Sequence, residues 1–258
     1  MNSSIGEVME VCLLAGKIML QSGAEIYRIE DTMNRIARAC AVSEPHSYVT
    51  VTGIFLTLRD PERGREQTRF LRICERQIDL NKIAAVNQIS RMLGERELTL
   101  KQAHEALMTI ERSGFLYPLW LQIIAAAFAS GFVCLAFGGT WLDFWPSVVT
   151  GGLGFLLYIL INRRVAVKFF SEILAAFAVG LIAYLFYYYG IHYLNIILHS
   201  DKVIIGSVMP LVPGVLIMNA IRDLMAGDLV AGLARGTEAF LTALAIGTGV
   251  AVALAVLM

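Results

Sequence analysis

Charge is spread so unevenly along this chain that it divides the sequence before any secondary structure is considered. Residues 1–118 hold 15 Lys/Arg and 15 Asp/Glu of the 21 of each in the 258-residue chain, which leaves six of each for all that follows. With 57% hydrophobic residues and a mean hydropathy of +0.66, such a tail belongs to the membrane class rather than to a soluble domain. The boundary falls near Gly114-Phe115-Leu116-Tyr117-Pro118. The expected fold class is therefore a cytoplasmic α/β (α+β) domain, residues 1–116, followed by a polytopic all-α membrane bundle of five transmembrane helices, residues 117–258.

The balanced charge of the first part presents no dominant basic face and argues against a nucleic-acid partner. Cys12, Cys40, Cys74 and Cys134 form no CxxC pair and lie far apart, so they read as free thiols in a reducing compartment rather than as disulfides or zinc ligands. The first 20 residues lack a basic n-region and contain Glu7 and Glu10, which is not the pattern of a signal peptide.

Five apolar segments follow the boundary: Leu119–Phe137, Trp145–Ile161, Ile173–Gly190, Val203–Met218 and Ala239–Met258. Each approaches the ~20 residues that cross the hydrocarbon core. Loops on one side carry Arg163, Arg164, Lys168, Arg222 and Arg235, and loops on the other carry Lys202. Cytoplasmic loops collect Lys and Arg, so this split places the N-terminus inside and the C-terminus outside. Trp141, Phe144, Trp145 and Tyr187-Tyr188-Tyr189 supply the outer aromatic belt, and Tyr117 and Trp120 the inner one. Gly151-Gly152-Leu-Gly154, Gly232-Leu-Ala-Arg-Gly236 and Gly247-Thr-Gly249 read first as close-packing surfaces between helices.

In the first part, Ile5, Val8, Cys12, Ala15 and Met19 repeat at helical spacing. Ser22-Gly-Ala-Glu25 fits a capping box opening a second helix through Ile26, Ile29, Met33, Ile36 and Cys40. Tyr48–Leu58 and Thr68–Cys74 read as a hairpin turning at Asp60–Gly64, and two helices follow, about Asp79–Leu93 and Leu100–Ser113, the latter capped by Thr99 and Gln102. The order is α-α-β-β-α-α, with room for one further short strand. The run Glu25-Ile-Tyr-Arg28-Ile-Glu30-Asp31 has two readings: a cap with a solvated face, where Asp31 pairs with Arg35 at i,i+4, or a lining of a ligand cleft or interface. No HExxH, GxSxG, P-loop or GxGxxG is present, His46 and His104 have no partners at metal-binding spacing, and neither an enzyme nor a metal or other cofactor is implied.

The stretch PLVPGVLIMNAIRDLMAGD, residues 210–228, breaks the fourth apolar segment. Pro210 and Pro213 each remove a backbone donor, and freed carbonyls in lipid need protein or a wet cavity. A proline-glycine interruption of a short span points to a transporter binding site. Gly214 opens a second half-helix whose bare amides favour a carboxylate, with Asn219, Arg222 and Asp223 within about a turn of one another. Gly227 ends that half-helix and Asp228 caps the next, where Arg235 and Glu238 lie one turn apart. The competing reading makes these residues interfacial: Arg222 obeys the inside rule, Asp228 is only a cap, and the prolines kink an ordinary helix.

The stretches Ser22-Gly-Ala-Glu-Ile-Tyr-Arg-Ile-Glu-Asp-Thr-Met33 and Pro213-Gly214-Val-Leu-Ile-Met-Asn219-Ala-Ile-Arg222-Asp223-Leu-Met-Ala-Gly227-Asp228 resemble the two signature stretches of the threonine/serine exporter family, and Gly232-Leu-Ala-Arg235-Gly-Thr-Glu238-Ala is similar to its continuation. The chain departs from the pattern at Leu216, where a further proline is usual, which softens the break. The resemblance implies the larger subunit of the split form, completed by a second small membrane protein of four to five spans. It implies export of threonine/serine or of a dicarboxylate such as succinate across a bacterial inner membrane, coupled to protons. Five spans per half would give an inverted repeat. On this reading Arg222 with Asn219 takes the substrate carboxylate, Asp223 or Asp228 serves coupling, Pro210, Pro213 and Gly214 form the break, and Glu25, Arg28, Asp31, Arg235 and Glu238 support it. A homo-oligomer is compatible with this reading. The alternative is a membrane-anchored ligand-sensing or regulatory protein without transport activity of its own; a hydrolase finds no nucleophile-base pair at usable spacing.

Overall fold

The computed structural model describes residues 4–42, 44–59, 64–114, 117–165, 167 and 169–257. In chain order the elements are α1 (Ile5–Gln21), α2 (Ile26–Ala39), β1 (His46–Thr50), β2 (Gly53–Arg59), β3 (Glu66–Arg72), α3 (Leu80–Gly94), α4 (Leu100–Arg112), α5 (Leu119–Ala136), α6 (Trp141–Arg164), α7 (Phe170–Leu194), α8 (Ser200–Val208), a 3-10 turn (Met209–Leu211), α9 (Gly214–Ala226) and α10 (Leu229–Leu257). They form two compact units: residues 1–115 with 215–236, and residues 116–214 with 237–258.

In the first unit α1 is the central helix. Ser4 and Glu7 close a capping box at its start, and Val8, Met9, Val11, Cys12, Leu13, Ala15, Ile18, Met19 and Leu20 are all buried, so it is covered on more than the single stripe its spacing indicates. Ile26, Ile29, Met33 and Ile36 of α2 pack into the same core with Ile54, Leu56 and Leu58 of β2, Val86 of α3, Leu107 of α4 and Ala231 of α10. The sheet is antiparallel in the order β1-β2-β3, with Phe55 opposite Phe70 and Thr57 opposite Thr68. Residues Tyr48–Leu58, expected as one strand, are two, because a turn at Val51 and Thr52 folds β1 back onto β2. The expected turn after them falls largely at residues 60–63, outside the described residues. The Thr99–Gln102 capping box is present as read.

The second unit is helical. Thr140 and Asp143 form a capping box that opens α6. Gly151 of α6 meets α5 so closely that a Cβ there would lie 2.0 Å from Ser130 Oγ, so only the smallest side chain allows the approach. Ala175 and Ala176 of α7 pack with Leu211 and Ile246. Large apolar side chains such as Phe128, Phe132, Trp145, Leu185 and Val252 remain exposed. In a chain with such apolar helices, these are the surfaces that meet lipid.

The expectation of a cytoplasmic α/β domain followed by a five-helix membrane bundle is not met. Among the described residues there are ten α-helices and only one three-stranded sheet, and residues 215–236 fold with the first 115 rather than with the helices that precede them. Four helices are long and apolar enough to cross a membrane: α5, α6, α7 and α10. The fourth expected span is not one helix. It is α8 with the 3-10 turn, a bend of 62°, and then α9, so it makes a fifth span only if the bent pair is counted as one. The physical reason lies in Pro210 and Pro213, which interrupt the ladder, and in polar partners that claim α9.

Candidate functional site

Gly23 determines the local geometry. Its φ of +82° ends α1, which is why Ser22 is the C-cap of α1 and not the N-cap of α2. α2 starts at Ile26, with Glu25 as an N-cap residue that makes no side-chain cap bond. The intervening turn exposes backbone groups that need partners. Gln77 N–H donates to the Gln21 carbonyl at 2.7 Å and Asp79 N–H to that of Ser22 at 3.1 Å. Asn219 Nδ2 donates to the Gly23 carbonyl at 2.7 Å, and Arg235 Nη2 to the Ala24 carbonyl at 2.7 Å. Ile26 N–H, the first amide of α2, donates to Asp223 Oδ1 at 3.0 Å, so the cap expected from Ser22 comes from a carboxylate 197 positions away.

Asp223 Oδ2 also accepts from Arg235 Nη1 at 2.7 Å, and the two side chains are 0% and 2% exposed. Burial of such a pair is tolerable because each member also binds backbone. Beside it lies Glu25, 4% exposed, whose Oε1 accepts from Arg222 Nη1 at 2.5 Å and Oε2 from Arg28 Nη1 at 3.2 Å. Burial pushes the Glu25 carboxyl up, but its own amide and the Arg222 and Arg28 guanidinium groups outweigh this and hold it below the ordinary glutamate value. Arg222 is different in kind from Asp223 and Arg235: half of its side chain is exposed.

The sequence-derived residues divide accordingly. Glu25, Arg28, Asn219, Arg222, Asp223 and Arg235 come together in the first unit. Asp31 does not: it pairs with Arg35 on an exposed face. Asp228 is half-buried at the start of α10, where its carbonyl accepts from Gly232 N–H at 2.9 Å. Gly214 is exposed as the first residue of α9, while Pro210 and Pro213 are half-buried at the break, and Glu238 lies in the second unit. Lys168 lies outside the described residues.

Sequence reasoning missed a second polar cluster, within the second unit. Asp143 is fully buried; its Oδ2 accepts from Thr140 N–H at 2.8 Å and Thr140 Oγ1 at 2.7 Å, and its Oδ1 from His199 N–H at 2.8 Å. His199 Nδ1 lies 3.0 Å from Oδ2. The Thr140-Trp-Leu-Asp143 spacing is a capping-box signal that identifies Asp143. Nothing in the sequence marks His199.

Among the described residues, four apolar helices of membrane-crossing length, with the bent pair α8 and α9 beside them in sequence, define a multi-pass membrane protein. The family model described as "Putative threonine/serine exporter" matches residues 10–257, and the chain belongs to that family, one of exporters rather than enzymes. It is 26% identical to the "Probable threonine/serine exporter" of Mycobacterium tuberculosis over 92% of this chain and 44% of that protein. It is 27% identical to the "Probable succinate transporter subunit YjjP" of Escherichia coli K12 over 96% of this chain and 94% of that one. It is 25% identical to the "Pheromone-regulated membrane protein 10" of Pichia sorbitophila over 94% of this chain and 24% of that protein. The chain thus spans less than half of the first and third and nearly all of the second. No solved structure matches it.

Proposed function

We propose that this chain is one subunit of a secondary-active exporter that moves small carboxylates, threonine/serine or a dicarboxylate such as succinate, out of the cytoplasm. It works with a second small membrane subunit, the N-terminus lies inside, the C-terminus outside, and the membrane is the bacterial inner one. The observation that carries this reading is the 62° break between α8 and α9 in an otherwise apolar stretch. Arg222 stands about two turns beyond that break with half of its guanidinium side chain free of protein. Broken helices place backbone and charge where a membrane-embedded anion can be met. The name of the Escherichia coli relative, a transporter subunit, supports a two-component assembly, and the two relatives' names support the two cargo classes.

Within the proposed site, Arg222 takes the cargo carboxylate, and Arg28 shares Glu25 with it, so the cargo competes with Glu25 for guanidinium donors. Asn219, Asp223 and Arg235 hold the turn between α1 and α2 in place, and Pro210, Pro213 and Gly214 form the break. Proteoliposomes carrying this chain and the proposed second small subunit, loaded with labelled threonine or succinate, test the proposal. Arg222→Ala is expected to lower efflux more than tenfold while the protein stays folded; near-normal efflux of both cargoes would remove Arg222 from the site.

A further inference from the structure

The second unit contains a buried carboxylate that the broken helix does not use. Asp143 is 0% exposed, yet it accepts four hydrogen bonds, two from Thr140 and two from His199. An ionised carboxylate only accepts, so His199 Nδ1 carries the hydrogen in that contact and Nε2 is left as the ring's basic atom. The His199 side chain is 47% exposed, so that atom belongs to the half-open side of the pair.

His199 is also placed to transmit a change. It is the residue immediately before α8, the first arm of the broken helix, and its own amide binds Asp143 Oδ1. The strap leading to it is held at Asn195, in the left-handed region with φ +53°, and by Ile196 N–H donating to the Gly190 carbonyl at 2.9 Å. Ile196 and Leu198 of the strap, with Leu142 and Pro146 of α6 and Phe186 and Tyr189 of α7, line an apolar cleft of about 590 Å³. Leu142 and Leu198 are the chain neighbours of Asp143 and His199, so the polar pair borders the segments that wall the cleft.

The geometry points to a proton-binding site: we infer that His199 Nε2 takes a proton from the outer aqueous phase, with Asp143 as the fixed counter-ion, and that the charged pair latches the 195–199 strap to the start of α6. Proton uptake converts a neutral imidazole hydrogen-bonded to a carboxylate into an ion pair, with the Nδ1–H bond kept throughout. Proton release leaves the buried carboxylate with hydrogen bonds alone, and the strap loosens. The other charged or titratable groups at the site are Asp201 and Lys202 of α8, which pair with each other at 3.5 Å, and the buried Cys134 of α5, whose Sγ lies 4.0 Å from the Asp143 carbonyl. On α7, Tyr189 lines the cleft and the His192 ring contacts the Tyr188 carbonyl. The outward location of the pair rests on the topology given under Proposed function; the latch itself rests on the contacts.

Cys134 is a built-in reporter, because it is buried against the latch. The full chain in lipid nanodiscs is treated with N-ethylmaleimide from pH 5.5 to 8, and modification of Cys134 is followed by peptide-resolved mass spectrometry. His199→Asn keeps a donor near Nδ1 but cannot titrate, so it carries the ordinary pH dependence of the thiol. The ratio of the variant rate to the wild-type rate is expected to fall from about ten at low pH to about one at high pH, since only the wild type gains the charge-assisted bond that closes the latch. His199→Gln, a second non-titrating donor, is expected to behave as His199→Asn does. A ratio that stays flat with pH for both variants overturns the inference. The exporter reading fails separately: a pH-dependent ratio with no efflux of either cargo sinks that reading and leaves the latch, and normal efflux with a flat ratio does the reverse.

Discussion

Asp223 makes two contacts that no sequence neighbour can replace: it caps α2 through Ile26 and neutralises Arg235. Truncating it strands a buried guanidinium, which costs about 3–5 kcal/mol. Asp223→Ala is therefore expected to lose a large part of its stability in thermal unfolding of the detergent-solubilised protein, whereas Asp223→Asn, which still accepts from Ile26, loses less. Two other carboxylates respond to acid in opposite senses. Glu25 is held below the ordinary glutamate value of 4.5, so its contribution is present at neutral pH and is lost as pH falls through that lowered value. Glu30 is raised, by burial first and by Asp228, against the bond it accepts from Val49 N–H, so protonating it favours the folded state. Glu25→Gln should flatten the acid side of the stability profile below pH 4.5, and Glu30→Gln should leave stability at neutral pH equal or higher. Denaturant titrations from pH 3 to 7 read both.

At the scale of elements, the sequence was informative wherever the cause is local. Pro210 and Pro213 marked the break because a missing donor acts in its own helix, and Thr99 and Gln102 marked a helix start because cap and partner are three residues apart. Ser22 and Glu25 show the limit of the same rule: the spacing is correct, but the left-handed Gly23 between them keeps the chain from starting a helix there. The fourth apolar segment looked like a span because composition cannot say what α9 touches. Asn219, Asp223 and Arg235 bind backbone groups 196, 197 and 211 positions away, and no periodicity encodes such partners. For α5 and α6 the controlling contact is steric. Gly151→Ala places a methyl within reach of Ser130 Oγ and is expected to cost about 1–3 kcal/mol as overpacking, read as a lower melting temperature.

For the whole molecule, the long apolar helices were legible and the grouping of the chain was not. Sequence order divides it near residue 116, while contacts gather residues 215–236 with the first 115. The proposed topology has its own test. An impermeant maleimide should reach the exposed Cys74 only in inside-out vesicles, and Tyr193→Cys, 72% exposed in the native residue, only in right-side-out cells. Labelling of both from the same side would reject that topology, and labelling of each from the other side would reverse it.

The Ala24 carbonyl waits for Arg235, which the ribosome adds 211 residues later. At roughly 5–20 residues per second, that gap is about ten to forty seconds of synthesis. Throughout it the amino-terminal portion is an unfinished product whose maturation depends on arrival of the carboxy-terminal stretch. A nascent chain cut short before Arg235 would therefore leave the Ala24 carbonyl without this donor.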